Sequence, residues 1–229
     1  MEDELKIEGK NAVTEALKSG ISIQKIQIDK RLVPRYGDII SHAKQMRIPV
    51  QEVPSLKAKQ GILAYVFPVE PKDIDYFFDK HFVVLADGVE DPHNLGAIMR
   101  TAECAGVDGI VLPKHRSAII SEGLISSSAG AVFHLPFAVV TNTAQAVDKF
   151  IERGFFILGA DASGEPFFSI EIRFPLLLII GGEDKGLRPI MKRRCDKLIG
   201  IPMLGKITSL NTSVSAGIII YEIKSRDWR

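Results

Sequence analysis

The stretch FVVLADGVEDPHNLGAIMRTAECAGVDGIVLP, Phe82 to Pro113, decides the fold. Phe82 to Ala86 is apolar without interruption, as in a strand covered on both faces of its sheet. A polar, turn-rich segment from Asp87 to Asn94 follows. Leu95, Ile98, Met99, Ala102 and Ala105 then recur at helical spacing, and Gly106 suits the left-handed residue just past a helix end. Ile110 to Leu112 returns to a short apolar strand. Strand, helix and second strand in such close succession predict a crossover unit of a parallel sheet.

The same alternation runs outward to the C-terminus. Ser121 to Gly130 reads as a helix of small residues and Phe137 to Val140 as a strand. Asn142 or Thr141 opens a helix that runs to Arg153 and stops at Gly154. Strands are expected at Phe155–Gly159, Leu176–Ile180 and Leu198–Ile201, with a short helix at Pro189–Cys195 and a long final one at Leu210–Lys224. This predicts an α/β fold, a mainly parallel sheet with helices on both faces. Upstream, helices at Asn11–Ser19 (stopped by Gly20) and Arg35–Met46, with strands around Ile26 and Ile28 and at Pro49–Val53 and Ile62–Phe67, make a smaller α/β unit. Pro68 to Tyr76 holds two prolines and three acids among few apolar residues, which suits a linker. The expected division is residues 1–67, a linker at 68–79, and a larger unit at 80–229.

A chain of 229 residues, 46% apolar and 25% charged, can bury a full core without staples. It has no apolar run of about 18 residues, so no spanning helix is expected. The charged start, Met1 to Lys10, lacks a signal-peptide core, so a cytoplasmic location is expected. Cys104 and Cys195 read as reduced, buried thiols, and the five histidines form no close pair, so no metal site is expected. The net charge of +1 does not announce a nucleic-acid binder. From Lys185 to Lys206, however, Lys185, Arg188, Lys192, Arg193, Arg194, Lys197 and Lys206 face Asp196 alone. That run is either a solvated face or a phosphate-binding patch.

Ligands of parallel sheets bind beyond the carboxyl ends of the strands. Three loops there are rich in glycine and polar residues: Asp87–Gly96, Gly181–Gly186 and Met203–Ser209. No GxGxxG follows a strand and no GxxxxGK[ST] occurs, which disfavours dinucleotide and P-loop cofactors. Taken singly, Asn94 reads as the cap of a helix beginning at Leu95, Arg100 as a surface arginine off the apolar stripe, and Glu183 as a turn acid. Ser209 and Asn211 read as caps of the last helix.

Together these residues carry a resemblance. Asn94-Leu95-Gly96 with Arg100-Thr101-Ala102 resembles the first motif of the SpoU class of RNA ribose methyltransferases. Gly182-Glu183-Asp184-Lys185-Gly186 resembles the second, and Ile201-Pro202-Met203-Leu204-Gly205 leading to Ser209-Leu210-Asn211-Thr212-Ser213 the third. All three occur in order, each at a strand end. Ile7-Glu8-Gly9-Lys10-Asn11-Ala12-Val13 and Gln60-Gly61-Ile62 extend the likeness to the usual N-terminal domain, with Lys59 where relatives often carry His and Thr212 where Val is common. The sequence most resembles bacterial 23S ribosomal RNA guanosine 2′-O-methyltransferases.

The resemblance implies a C-terminal trefoil knot, a ribosomal-protein-like RNA-binding domain at the N-terminus and a homodimer with the first motif near its interface. It implies S-adenosylmethionine (SAM) as methyl donor and the ribose 2′-OH of a guanosine in ribosomal RNA as acceptor. Arg100, Asn94, Glu183, Ser209 and Asn211 would form the catalytic centre. Gly181, Ile201, Met203 and Leu210 would hold the cofactor. Lys114, Arg116 and Lys10 are expected to meet RNA phosphate. Two alternatives stand beside this: a transfer RNA 2′-O-methyltransferase, and a non-catalytic RNA-binding assembly factor that kept the fold.

Overall fold

The computed structural model describes residues 5–114, 120–183 and 186–227. Strand β1 (Leu5–Glu8) leads through Gly9 into α1 (Lys10–Ser19), which buries Ala12, Val13, Ala16 and Leu17 and ends on left-handed Gly20. Strand β2 (Ile23–Asp29) runs into a 3₁₀ segment (Lys30–Tyr36), and α2 (Gly37–Gln45) follows. The single helix expected from Arg35 is therefore split. The Asp29 carboxylate accepts the Arg31 N–H and starts the tighter turn early, and Tyr36 is non-helical at φ −119°. Strands β3 (Val50–Val53) and β4 (Ile62–Val66) complete a sheet of order β1-β4-β2-β3, with β4 antiparallel to both neighbours and β2 parallel to β3.

The larger sheet begins with β5 (Phe82–Asp87), then α3 (Pro92–Cys104), β6 (Gly109–Pro113), α4 (Glu122–Ser127), β7 (Phe137–Val140) and α5 (Thr143–Glu152). It continues with β8 (Phe156–Pro166), β9 (Leu176–Gly181), α6 (Pro189–Lys192), β10 (Lys197–Gly200) and α7 (Thr212–Asp227). The strand order is β10-β8-β9-β5-β6-β7 and every adjacent pair is parallel. Alternate residues of the central strands feed two cores, because successive side chains point to opposite faces. Phe82, Val84 and Leu178 pack with Leu95, Ile98, Ile219 and Ile220 of α3 and α7. Val83, Leu85, Leu177 and Ile179 pack with Val147 and Phe150 of α5.

The first core continues into the N-terminal unit through Val13, Ile26 and Ile62. Glu15 of α1 meets His134 across the seam (Oε2 to Nε2, 3.2 Å). Gly130, at φ +90°, lets α1 come close: a Cβ there would lie 2.7 Å from that of Glu15. Within the stretch expected to be a linker, Lys72 bridges to Ala138, and Phe77 is fully buried against the second core.

Helix α3 starts three residues earlier than expected. Asp91 caps it by accepting the His93 N–H, and Pro92 occupies the first turn, where its missing N–H costs nothing. Asn94 is therefore not the cap, and its amide is available elsewhere. Cys104, expected to be buried, is exposed at the end of this helix.

Candidate active site

From β5 the chain winds outward to β6 and β7, then returns to place β9 on the other side of β5. The loops leaving β5 and β9 diverge at this reversal, the place where open α/β sheets form a ligand crevice. Asp87 and Gly181, the last residues of the two strands, are paired in register. The turn after Gly181 closes through a bridge between Gly182 and Gly186 (Gly186 N–H to Gly182 O, 3.2 Å). Only glycine fits at 182, because a Cβ would stand 2.2 Å from the Gly88 carbonyl oxygen.

Three side chains from distant parts of the chain join at this crevice. The Asn94 amide donates to Glu183 (Nδ2 to Oε1, 2.8 Å), and its carbonyl accepts from Asn211 (Nδ2 to Oδ1, 2.9 Å). The Asn211 carbonyl in turn caps α7, accepting from the backbone N–H groups of Ser213 and Val214 and from the Ser213 hydroxyl. Residues from the first two polar loops and Asn211, two residues beyond the third, are thus held in a single hydrogen-bonded row.

Beside the row opens a cavity of about 590 Å³, within the range of small-ligand and cofactor sites. Gly181, Glu183, Ile201, Met203, Ser209 and Leu210 all line it. At Gly181 a Cβ would fall 2.3 Å from the Gly186 backbone, so the strand end and turn leave main chain facing the space. Asp161 also lines the cavity, a position that sequence spacing does not single out. Burial pushes its carboxyl up, but bonds from Lys192 (2.7 Å) and Ser163 outweigh this and hold it below the usual carboxylate range.

Arg100 is elsewhere. It is exposed, makes no hydrogen bond or ion pair among the described residues, and lines a separate recess of about 330 Å³ with Asn11, Glu15, Glu103, Ser128 and His134. The chain alone therefore brings Asn94, Glu183, Ser209 and Asn211 to one site and leaves Arg100 out of it. Lys114 is exposed at the end of β6 and Lys10 at the start of α1; Arg116 lies outside the described residues.

The basic run is largely neutralised by acids from other segments. Arg188 pairs with Asp87, Lys192 with Asp161, Arg194 with Asp148 and Lys197 with Glu165. Lys185 lies outside the described residues. Local charge counting does not see partners this far away in sequence. The Arg188–Asp87 pair, its carboxylate buried and its guanidinium half-exposed, joins three elements. Asp87 and Thr143 are each 3% exposed, and the Arg188 guanidinium reaches both. Among the described residues no group of three or more His, Cys, Asp or Glu is arranged to hold a metal. The Cys195 thiol is pushed up to about 12 by burial and by Asp196 and Asp161, which makes it a poor nucleophile.

Comparison with known proteins gives a consistent picture. The SpoU rRNA methylase family model matches residues 81–221, and the model for RNA 2′-O ribose methyltransferase substrate binding matches residues 6–72. The chain is 39% identical to a Staphylococcus haemolyticus protein named as a TrmH family tRNA/rRNA methyltransferase, over 97% of this chain and 96% of that one. It is 40% identical to the similarly named YacO of Bacillus subtilis, over 94% and 93% of the two chains. It shares its fold with the SpoU methyltransferase AviRb from Streptomyces viridochromogenes, solved in complex with the cofactor AdoMet (TM-score 0.83, 24% identity, 98% of this chain and 91% of that one). The A. aeolicus TrmH/SpoU tRNA modifying enzyme is 30% identical, with a TM-score of 0.58 over 68% of this chain and 82% of that one.

Proposed function

The chain belongs to the SpoU rRNA methylase family, and from that premise we propose that it transfers a methyl group from SAM to the ribose 2′-OH of a guanosine in large-subunit ribosomal RNA. The observation that carries this reading is the row Asn94–Glu183–Asn211 at the mouth of the 590 Å³ cavity. Residues 1–67 dock the RNA, 68–79 connect, and 80–229 catalyse, with the trefoil knot of the family in this last unit.

The cavity suits SAM in size and in the character of its walls. Gly181, Ile201, Met203 and Leu210 line the cavity; backbone groups at Gly181, Ile201 and Leu210 would grip the adenine and ribose, with Met203 packing nearby. When bound, the cofactor supplies a methyl group already activated on a sulfonium. What the protein adds is alignment, which contributes roughly 7–11 kcal/mol in good geometry. Asn94, itself held by Asn211, keeps Glu183 in place, Asn211 caps the start of α7, and Ser209 lines the cavity beside them. The 2′-OH exists only in RNA, so the acceptor itself selects RNA over DNA.

Arg100 enters from a second copy of the chain. Helix α7 exposes Val214, Ile218 and Tyr221 at helical spacing along one edge, with Leu210 beyond them. Gly217 of the same helix lies against Thr101, the neighbour of Arg100. Pairing two such faces around a two-fold axis carries Arg100 toward the partner's cavity. There it clamps a target phosphate and stabilises the developing alkoxide as a cation, since guanidinium keeps its protons in proteins. Lys10, Lys114 and Arg116 guide the RNA backbone. The enzyme works in the cytoplasm; among the described residues no helix is long and apolar enough to cross a membrane.

The test is incubation of the protein with methyl-labelled SAM and total RNA, followed by mapping of the labelled nucleotide. Label on a 2′-O-methylguanosine of the large ribosomal RNA is expected. Label on transfer RNA would move the substrate to that class. RNA binding without any transfer would replace the enzyme with an assembly factor.

A further inference from the structure

Glu183 sits at a turn whose described residues have few anchors of their own beyond the Gly182–Gly186 bridge. Between Gly181 and Leu187 no described residue has an apolar side chain to anchor it, and glycine stands at 182 and 186. Its position is set at the two stems. Gly182 rests on the Gly88 carbonyl oxygen, with no room for a Cβ. The other stem ends at Arg188, whose Nε donates to Asp87 Oδ2 (2.9 Å) and whose Nη2 donates to Asp87 Oδ1 (2.8 Å) and to Thr143 Oγ1 (2.7 Å). The Thr143 hydroxyl donates on to Asp87 Oδ1 (2.8 Å). Asp87 and Gly88 are consecutive, so one dipeptide at the end of β5 meets both stems, the second of which is also seated by Leu187 buried in the second core.

We propose that Asp87, Thr143 and Arg188 form a positioning clamp that places Glu183 against Asn94 for the methyl-transfer reaction; the inference rests on the function proposed above. A bidentate, charge-assisted pair fixes direction as well as distance, which a loop built on glycines otherwise lacks. The alternative is that the pair serves only to fasten α5. That helix is already seated by Ala144, Val147 and Phe150 in the second core and capped by Asn142, so it does not need the guanidinium. With the Arg188 side chain half-exposed, the pair is also a weak source of net stability, whereas its two-point directionality suits the placing of a loop.

The experiment is a double-mutant cycle on methyl transfer, with wild type, Arg188→Ala, Glu183→Gln and the double variant, at saturating SAM. Wild-type transfer is the control, and its absence would count against the proposed function and not against the clamp. Arg188→Ala is expected to lower kcat on the order of ten- to a hundredfold, the scale of a misplacement near one ångström, while KM for RNA holds. Added guanidinium ion should restore part of the loss. In the Glu183→Gln background Arg188→Ala should cost nothing further, because a residue acting through Glu183 has nothing left to act on. An equal loss in both backgrounds, or an unchanged kcat, overturns the clamp. If Arg188→Ala does not fold, Arg188→Lys carries the same cycle: it keeps the charge and loses the two-point geometry.

Discussion

The two hollows of this chain are built from opposite materials. The one at the strand reversal is floored by glycine main chain and apolar side chains, and its polar rim is internally bonded through Asn94, Glu183 and Asn211. The one at the seam between the units is walled by Arg100, Glu103, Glu15, Asn11 and His134, with Arg100 exposed and without a hydrogen bond or ion pair among the described residues. The first has the character of a site that recognises a ligand by shape and backbone contact. The second has the character of one that waits for a charge. A methyl transfer to RNA needs both kinds, and one chain keeps them apart.

That separation can be broken most severely at Arg100. Arg100→Ala should lower methyl transfer on the order of 10²–10³-fold, the scale of removing one transition-state donor, with SAM affinity by calorimetry unchanged. Equal loss of both would merge the two hollows into one function. Ile218→Asp, with Val214→Asp if needed, should give monomers by light scattering and lower transfer about a hundredfold, because Arg100 then lacks a partner cavity. Mixed dimers of Arg100→Ala and Glu183→Gln subunits should regain activity, each supplying what the other lacks; no recovery would place both groups in the same subunit's reaction. Gly182→Ala must push the turn off Gly88 and should weaken SAM binding about tenfold, roughly 1.4 kcal/mol, with RNA binding intact by filter assay.

The smallest effect concerns acid. Asp148 is held below the usual carboxylate range by its bonds from Arg194, and Asp161 by the Lys192 and Ser163 bonds that outweigh its burial. A lowered carboxyl stabilises the fold above its unfolded value near 3.9, and that stabilisation is lost as pH falls through the folded value. The thermal midpoint should therefore drop below about pH 4. Asp148→Asn should remove less than about 1 kcal/mol at neutral pH, since the pair is partly exposed.

The parallel sheet was legible because it is written locally: β5 and β9 are unbroken apolar runs, and the stripe of α3 has the helical period. The three loops could be found for the same reason. What could not be read was any feature that depends on pairing across the chain. Arg188 counts as a loose cation until Asp87, 101 residues away, is brought beside it. Asn94 resembles a cap because it precedes the apolar stripe, yet Asp91-Pro92 is the stronger start signal and displaces it by one turn. The recess around Arg100 joins residues from α1 and α3 and leaves no local trace at all.

The seat of α1 on Gly130, with Glu15 meeting His134, turns the small unit into a caliper. Its jaw is set by packed side chains instead of by the length of the connecting peptide. The span from gripped RNA to delivered methyl is then a property of the fold, and lengthening residues 68–71 should leave the chosen nucleotide the same.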